Sequence, residues 1–402
     1  MGRIIIFTGK GGVGKTSVAA AHAIASANEG KNTLLVSADM AHNLGDIFQT
    51  EVGGHTKKVR DHLSLLELDP DMLMKEEFPN VNKAIGALMG SSGFSAGSVG
   101  DNFIIPGFEN LFSLLKIRDI YESGEYDRII VDCAPTGETL SLLKLPELLT
   151  WYMEKFFPVG KVMVRVLAPV SKVKYKVTLP THKAMNEIEE MHGQMVLLQE
   201  LLKDPEICSV RLVCVPEKMV VEETKRNFMY LNLYDYQVDR VFINRILPDE
   251  TGSDFMNRWR DIQKKYIGEI EKVFTEVPVT KIPWYSEEVR GKEAIERLAD
   301  DVLKIPDLFE IGVQNEKETY EVIDGGYCLT VKLPGADSDK VSVVVHDMDI
   351  DIKVNNYNRC IPLPNTLRGA QVTDVRFAEN KLQISLKTKD VSEDAGKDVK
   401  QS

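Results

Sequence analysis

Cysteine is scarce in this sequence. Cys133, Cys208, Cys214, Cys328 and Cys360 are odd in number, widely spaced and free of any Cys-x-x-Cys pair. That argues against a disulfide framework or a thiolate zinc site and points to a reducing compartment. No run of about 20 apolar residues occurs, so no helix is expected to span a bilayer. The first residues run straight into a strand-like stretch without a leader pattern, and the expected location is the cytoplasm. Positive charge is also short: 49 Lys and Arg stand against 61 Asp and Glu, a net charge of −12. General binding to nucleic acid or to an anionic membrane needs the opposite sign, so neither is expected.

At 402 residues the chain exceeds one ordinary core, and two domains are expected. Up to about residue 312, short β-branched runs alternate with helical stretches. Strands are expected at 3–8, 33–38, 63–68, 128–132, 210–215, 238–244 and 277–282. Several are apolar on both faces, as parallel strands covered by helices must be. The expected class is α/β, a mainly parallel sheet flanked by helices. Gln314 to Glu318 is polar and reads as a linker. Beyond it come short alternating runs at 327–333, 341–345, 350–354, 371–377 and 382–386, separated by turn signals such as Pro334-Gly335 and Glu379-Asn380. Residues 318–388 therefore read as a small all-β sandwich. The charged tail at 389–402 is expected to be disordered.

The densest signal follows the first strand. Gly9-Lys10-Gly11-Gly12-Val13-Gly14-Lys15-Thr16-Ser17 leads into an alanine-rich helix. Strand, glycine loop and helix come in the order of a phosphate cradle. Glycines let backbone N–H groups turn inward, and the helix N-terminus adds partial positive charge. Lys15 is placed to reach the β- and γ-phosphates of ATP, and Thr16 to offer its hydroxyl to Mg²⁺. The expected P-loop NTPase carries a second lysine, Lys10, at the head of the loop, and only one such loop per chain.

That second lysine resembles the deviant phosphate loop shared by septum-site and plasmid-partition ATPases, nitrogenase iron protein, and the arsenical pump-driving and tail-anchored-protein-targeting ATPases. Ser37-Ala38-Asp39-Met40-Ala41-His42-Asn43-Leu44-Gly45-Asp46 is similar to the first switch of the last group. Val131-Asp132-Cys133-Ala134-Pro135-Thr136-Gly137-Glu138-Thr139-Leu140 is similar to its second switch. Asn244-Arg245 and Ile282-Pro283-Trp284 resemble its adenine-contacting segments. Met40 and Glu138 depart from the proline and histidine usual there. Leu333-Pro334-Gly335 and Arg359 to Pro364 resemble a small-heat-shock-protein-like module fused to some members.

The resemblance implies a homodimer in which Lys10 reaches the partner's nucleotide. It implies that Asp39 orients the attacking water, that Asp132 reaches Mg²⁺ through water, and that Asn244 and Pro283 border the adenine. His42 and Asn43 would hold the first switch.

Residues from about 140 to 208 are too many for one crossover and should form a helical insert. It is rich in methionine, a flexible side chain suited to varied apolar partners. Trp151, Met153, Phe156, Met163, Met191 and Met195 are candidates to line a groove for a hydrophobic or transmembrane segment, although the same spacing also packs a helical core. The favoured expectation is an ATP-gated targeting factor for hydrophobic protein segments, with a membrane receptor as a further partner. The alternative is the motor of an arsenite efflux pump, which would need converging thiols. A partition-type membrane-surface ATPase ranks last, since the tail from Lys389 offers no amphipathic helix.

Overall fold

The structure is a computed structural model. It describes residues 2–39, 44–69, 72–73, 108–134, 137, 139–140, 143, 182–249, 253–312, 318–324, 326–346 and 348–387.

Among the described residues, eight strands form one sheet. In chain order they are β1 (Arg3–Thr8), β2 (Thr33–Ser37), β3 (Lys57–Arg60), β4 (Leu63–Glu67), β5 (Arg128–Asp132), β6 (Cys208–Cys214), β7 (Val238–Ile246) and β8 (Val279–Pro283). Their spatial order is β3-β4-β2-β5-β1-β6-β7-β8. All pairings are parallel except β3 with β4. Every residue of β1, β2 and β6 is buried, so the sheet is covered on both faces.

The helices among the described residues are α1 (Lys15–Asn28), α2 (Leu44–Phe48), α3 (Phe108–Ser123), α4 (His182–Lys203), α5 (Lys218–Leu233), α6 (Asp254–Val273) and α7 (Lys292–Val302). Alanines give α1 both helix propensity and a slim profile. Ala19, Ala20, Ala21 and Ala23 are all fully buried, so this helix lies close on the sheet. Strand β3 escapes sequence reading because two of its four residues are lysines. Lysine suits an edge, where it discourages further strand pairing.

A charged knot closes the N-terminal side of the sheet. Asp239 of β7 accepts from Arg3 Nη2 at 2.9 Å, from Arg211 Nε at 3.0 Å and from Ser209 Oγ at 2.9 Å. The two guanidiniums also donate to the carbonyls of Leu308, Phe309 and Glu310. Three strands are thereby tied to the segment that precedes the second sheet system. Burial lowers the Arg3 pKa from its ordinary value, and the Asp239 carboxylate opposes that.

The C-terminal part holds a four-stranded sheet in the order β14-β15-β10-β9 and a three-stranded sheet β11-β12-β13. Its strands are β9 (Glu318–Ile323), β10 (Gly326–Lys332), β11 (Val341–Val345), β12 (Asp349–Val354), β13 (Tyr357–Pro362), β14 (Gln371–Ala378) and β15 (Lys381–Lys387). All pairings are antiparallel. Leu329, Val331, Ile350, Ile352, Val354, Ile361 and Ile384 point into the core while alternate residues face out. Strand β9 begins at Glu318, where the sequence suggested only a linker.

These strands dock on α5. The Tyr230 and Tyr357 rings lie 3.7 Å apart between centroids. Tyr234 donates to the Asn358 carbonyl at 2.9 Å, and Arg359 donates to the Leu233 carbonyl at 2.6 Å. Arg359 thus satisfies a carbonyl at the end of α5 and pairs with Glu318 at 2.9 Å.

Helix α4 packs against α3, with Arg118 donating to the Gln194 carbonyl at 3.0 Å. Met195, Leu198 and Leu202 form its buried stripe. Met195, one of the groove candidates, lies on this stripe, 1% exposed and packed among apolar neighbours in the single chain. Trp151, Met153, Phe156 and Met163, and the side chain of Met191, lie outside the described residues.

Removing the charge at the knot tests its role. Asp239→Ala leaves two buried guanidiniums without their carboxylate, and should lower the unfolding free energy by about 3–5 kcal/mol in a urea titration. A change under about 0.5 kcal/mol would show that the knot is incidental to stability.

Candidate nucleotide site

The candidate site lies at the C-terminal ends of the parallel strands, where open α/β sheets bind ligands. The loop after β1 is held by two close approaches that only glycine permits. A Cβ on Gly9 would lie 2.1 Å from the Val213 carbonyl oxygen at the end of β6. A Cβ on Gly14 would lie 2.4 Å from Asn244 Nδ2, and Gly14 also has φ +93°. Asn244 Nδ2 in turn donates to the Val13 carbonyl at 2.8 Å. The loop is thus clamped between the ends of β6 and β7. Helix α1 starts at Lys15, so its N-terminal N–H groups and its dipole face the loop.

Lys15, Thr16, Asp132 and Asp39 come together. Asp132 ends β5 and is opposite both Phe7 of β1 and Ser37 of β2 in the ladder. Its carboxylate is 1% exposed, and neither oxygen has a hydrogen-bond partner of ordinary geometry among the described residues. Burial pushes its pKa up to about 7. The Thr16 hydroxyl and Lys15 ammonium oppose this, and the nearby Asp39 carboxylate adds to it. A buried carboxylate beside a threonine hydroxyl and a second carboxylate is a donor set suited to a hard divalent cation. The residues present therefore fit Mg²⁺. Asp39 lies two residues beyond β2, its N–H donating to Ser37 Oγ at 3.3 Å.

A cleft of about 560 Å³ runs from Gly14 and Ser17 past Asn244 and Arg245 to Pro283, Trp284 and Tyr285. Asp46 and Ile47 of α2 form its other wall. Both residues expected to border adenine line this cleft. Met40 to Asn43 lie outside the described residues, as do Pro135, Thr136 and Glu138.

Lys10, at the head of the loop, has an ion-pair partner that is not one of these four residues. Its ammonium pairs with Glu223 of α5 at 3.2 Å. Sequence reading did not find Glu223. It missed Glu67 as well, whose buried carboxylate accepts from the backbone N–H of Leu44 at 3.0 Å and of Gly45 at 3.2 Å. Glu67 thereby fixes the start of α2, inside the segment that resembles the first switch. A charged residue closing a strand otherwise built of leucine and one serine was the available signal.

Three of the five cysteines, Cys133, Cys208 and Cys214, are buried. Burial raises all three thiols, those of Cys208 and Cys214 to about 12. Among the described residues no group of three His, Cys, Asp or Glu side chains is arranged to hold a metal by itself. None of the described helices is long and apolar enough to cross a membrane.

Comparison with known sequences agrees with this geometry. Residues 2–304 match the anion-transporting ATPase family, and residues 324–386 match the HSP20-like domain found in ArsA. A Chlorobaculum tepidum protein named as an arsenical pump-driving ATPase is 36% identical over 387 residues, 95% of each chain. Arsenical pump-driving ATPase 1 of Aquifex aeolicus is 32% identical over 392 residues, 95% of this chain and 99% of its own. ATPase get3 of Pyrenophora tritici-repentis is 32% identical over 313 residues, 75% of this chain and 91% of its own. The chain is an ATPase and belongs to the anion-transporting ATPase family, with that family's HSP20-like domain at its C-terminal end.

Proposed function

We propose that this chain hydrolyses ATP with Mg²⁺ as a homodimer, and that nucleotide controls its capture of hydrophobic protein segments. The observation that carries the reading is the convergence of Lys15, Thr16, Asp132 and Asp39 at one end of a cleft whose other end is lined by Asn244 and Pro283. Gly9, Gly11, Gly12, Val13 and Gly14 form the backbone cradle. Lys15 neutralises phosphate charge, and Ser17 lines the cleft where it leaves the loop. Thr16 and Asp132 would hold Mg²⁺, which when bound supplies further charge neutralisation on the phosphates. Asp39 orients the attacking water.

The homodimer rests on two features. Only one phosphate loop exists per chain, and Lys10 pairs with Glu223 of α5. A charge held by such a pair can serve a neighbour's site once the pair opens. With one loop in each subunit, two such sites face each other about a two-fold axis.

A protein client is favoured over arsenite by the thiols. Soft metalloid binding needs converging thiolates. The three buried cysteines are held protonated, and Cys328 and Cys360 lie on β10 and β13, in different sheets of the C-terminal part. The HSP20-like domain and the likeness to Get3 ATPases support the same reading, with 1–312, 318–388 and 389–402 as working domain limits. The names of the Chlorobaculum and Aquifex relatives keep the arsenite-pump reading as the alternative.

Lys10→Ala should retain nucleotide affinity in calorimetry but lose most hydrolysis. Asp39→Asn should also bind ATP, and lose about 10²-fold or more in turnover, because an amide neither accepts a proton nor polarises water as well. Wild-type turnover in Lys10→Ala, or loss of ATP binding by folded Asp39→Asn, contradicts the roles given.

Capture of a photo-crosslinkable apolar helix by the wild-type chain should rise with ATP. It should fall about tenfold or more in Trp151→Asp and Phe156→Asp, since a carboxylate facing an apolar segment is costly. Circular dichroism checks that both variants fold. Undiminished capture, together with several-fold stimulation of the ATPase by arsenite, would favour the pump reading.

A further inference from the structure

Helix α5 touches two things of consequence. At its second turn Glu223 holds Lys10 at 3.2 Å. At its last turn the C-terminal sheets grip it through Tyr230, Leu233 and Tyr234. Glu223 and Leu233 are ten residues apart, roughly 15 Å along a helix.

Glu223 is the residue of α5 whose carboxylate pairs with the loop lysine. Glu222 pairs with Lys225 at 3.0 Å, and Lys225 reaches on to Glu269 of α6 at 2.8 Å. Those contacts fasten the outer side of α5 to α6. Thr224, the next residue, is buried and donates to the Val220 carbonyl at 2.8 Å. The helix is therefore fixed against α6 and at its C-terminal end. Glu223 is presented to Lys10 from a rigid support, and Lys10 follows Gly9, which is itself clamped on β6.

We propose that Glu223 is a positioning residue for Lys10: it parks the ammonium within its own chain, and the pair must open before Lys10 can reach the partner's nucleotide. This rests on the reading that Lys10 acts across a dimer. The pair is partly exposed, with side chains 38% and 26% accessible. It is therefore a weak latch, one that closure of a charged interface can open. An exposed pair of this kind is worth up to about 1 kcal/mol, or about fivefold in an equilibrium. Thermodynamic linkage then requires that whatever releases Lys10 favours the closed dimer, and that closure releases Lys10.

The test uses the full chain and three variants. In nucleotide-free protein, Glu223→Gln should raise the acylation rate of Lys10, read by peptide mass spectrometry, by about two- to fivefold. Glu223→Asp should restore slower labelling at least in part. In the presence of a non-hydrolysable ATP analogue, the protein concentration giving half-maximal dimer in sedimentation velocity should fall about two- to fivefold in Glu223→Gln. Its dependence on added salt should flatten, because salt screens the wild-type pair only. Equal labelling, equal dimer midpoints and equal salt response in Glu223→Gln and wild type overturn the proposal. Lys10→Ala separates the two levels. If it hydrolyses ATP as wild type does, the trans role and the latch both fall. If it is inactive while Glu223→Gln is unchanged in every readout, only the latch falls.

Discussion

The site depends on how tightly the loop after β1 is held between its neighbours. Gly9 lies so near the Val213 carbonyl, and Gly14 so near the Asn244 amide, that a single added carbon at either place would collide. Between these two points the backbone has little choice of path. Its N–H groups are set before any ligand arrives, so the ordering cost of binding is small. Asn244 makes the clamp two-sided, since it donates to Val13 and also lines the cleft. The far wall of the cleft and the phosphate loop are therefore mechanically joined.

Asp132 is the electrostatic counterpart of that clamp. A buried carboxylate with its pKa pushed up to about 7 by desolvation is unfavourable by itself. It persists because strands β1, β2 and β5 place it there, in register with Phe7 and Ser37. Strain of this kind tends to sit where a ligand relieves it. Glu67 shows the complementary case: a carboxylate whose burial is compensated by two backbone donors at the start of α2.

Local signals made most of the parallel sheet legible from sequence. The runs of Ile4 to Phe7 and Ile129 to Val131 are apolar on both faces, and the glycine spacing after β1 admits few other readings. Strands β3, β9 and β13 were less legible because their polar residues sit at sheet edges, where solvent removes the apolar pattern. Met195 shows a related ambiguity. A stripe of spacing three or four says that one helix face is apolar, not whether that face meets a client or a neighbouring helix. The Lys10–Glu223 pair could not be read at all, since 213 positions separate two residues that only the fold brings together. The docking of the C-terminal strands on α5 rests on tyrosines and an arginine with no sequence pattern of their own.

The central claim is that each catalytic site is shared between two chains, with Asp39 supplied by one and Lys10 by the other. Subunit mixing tests it most directly. Lys10→Ala and Asp39→Asn chains, each inactive alone, are unfolded together, refolded as a mixture and assayed for ATP hydrolysis. A mixed dimer then holds one site with both groups intact and one with neither, so the mixture should recover about a quarter of wild-type activity. Activity no higher than that of either variant alone, with mixed dimers shown to be present, would contradict a shared site.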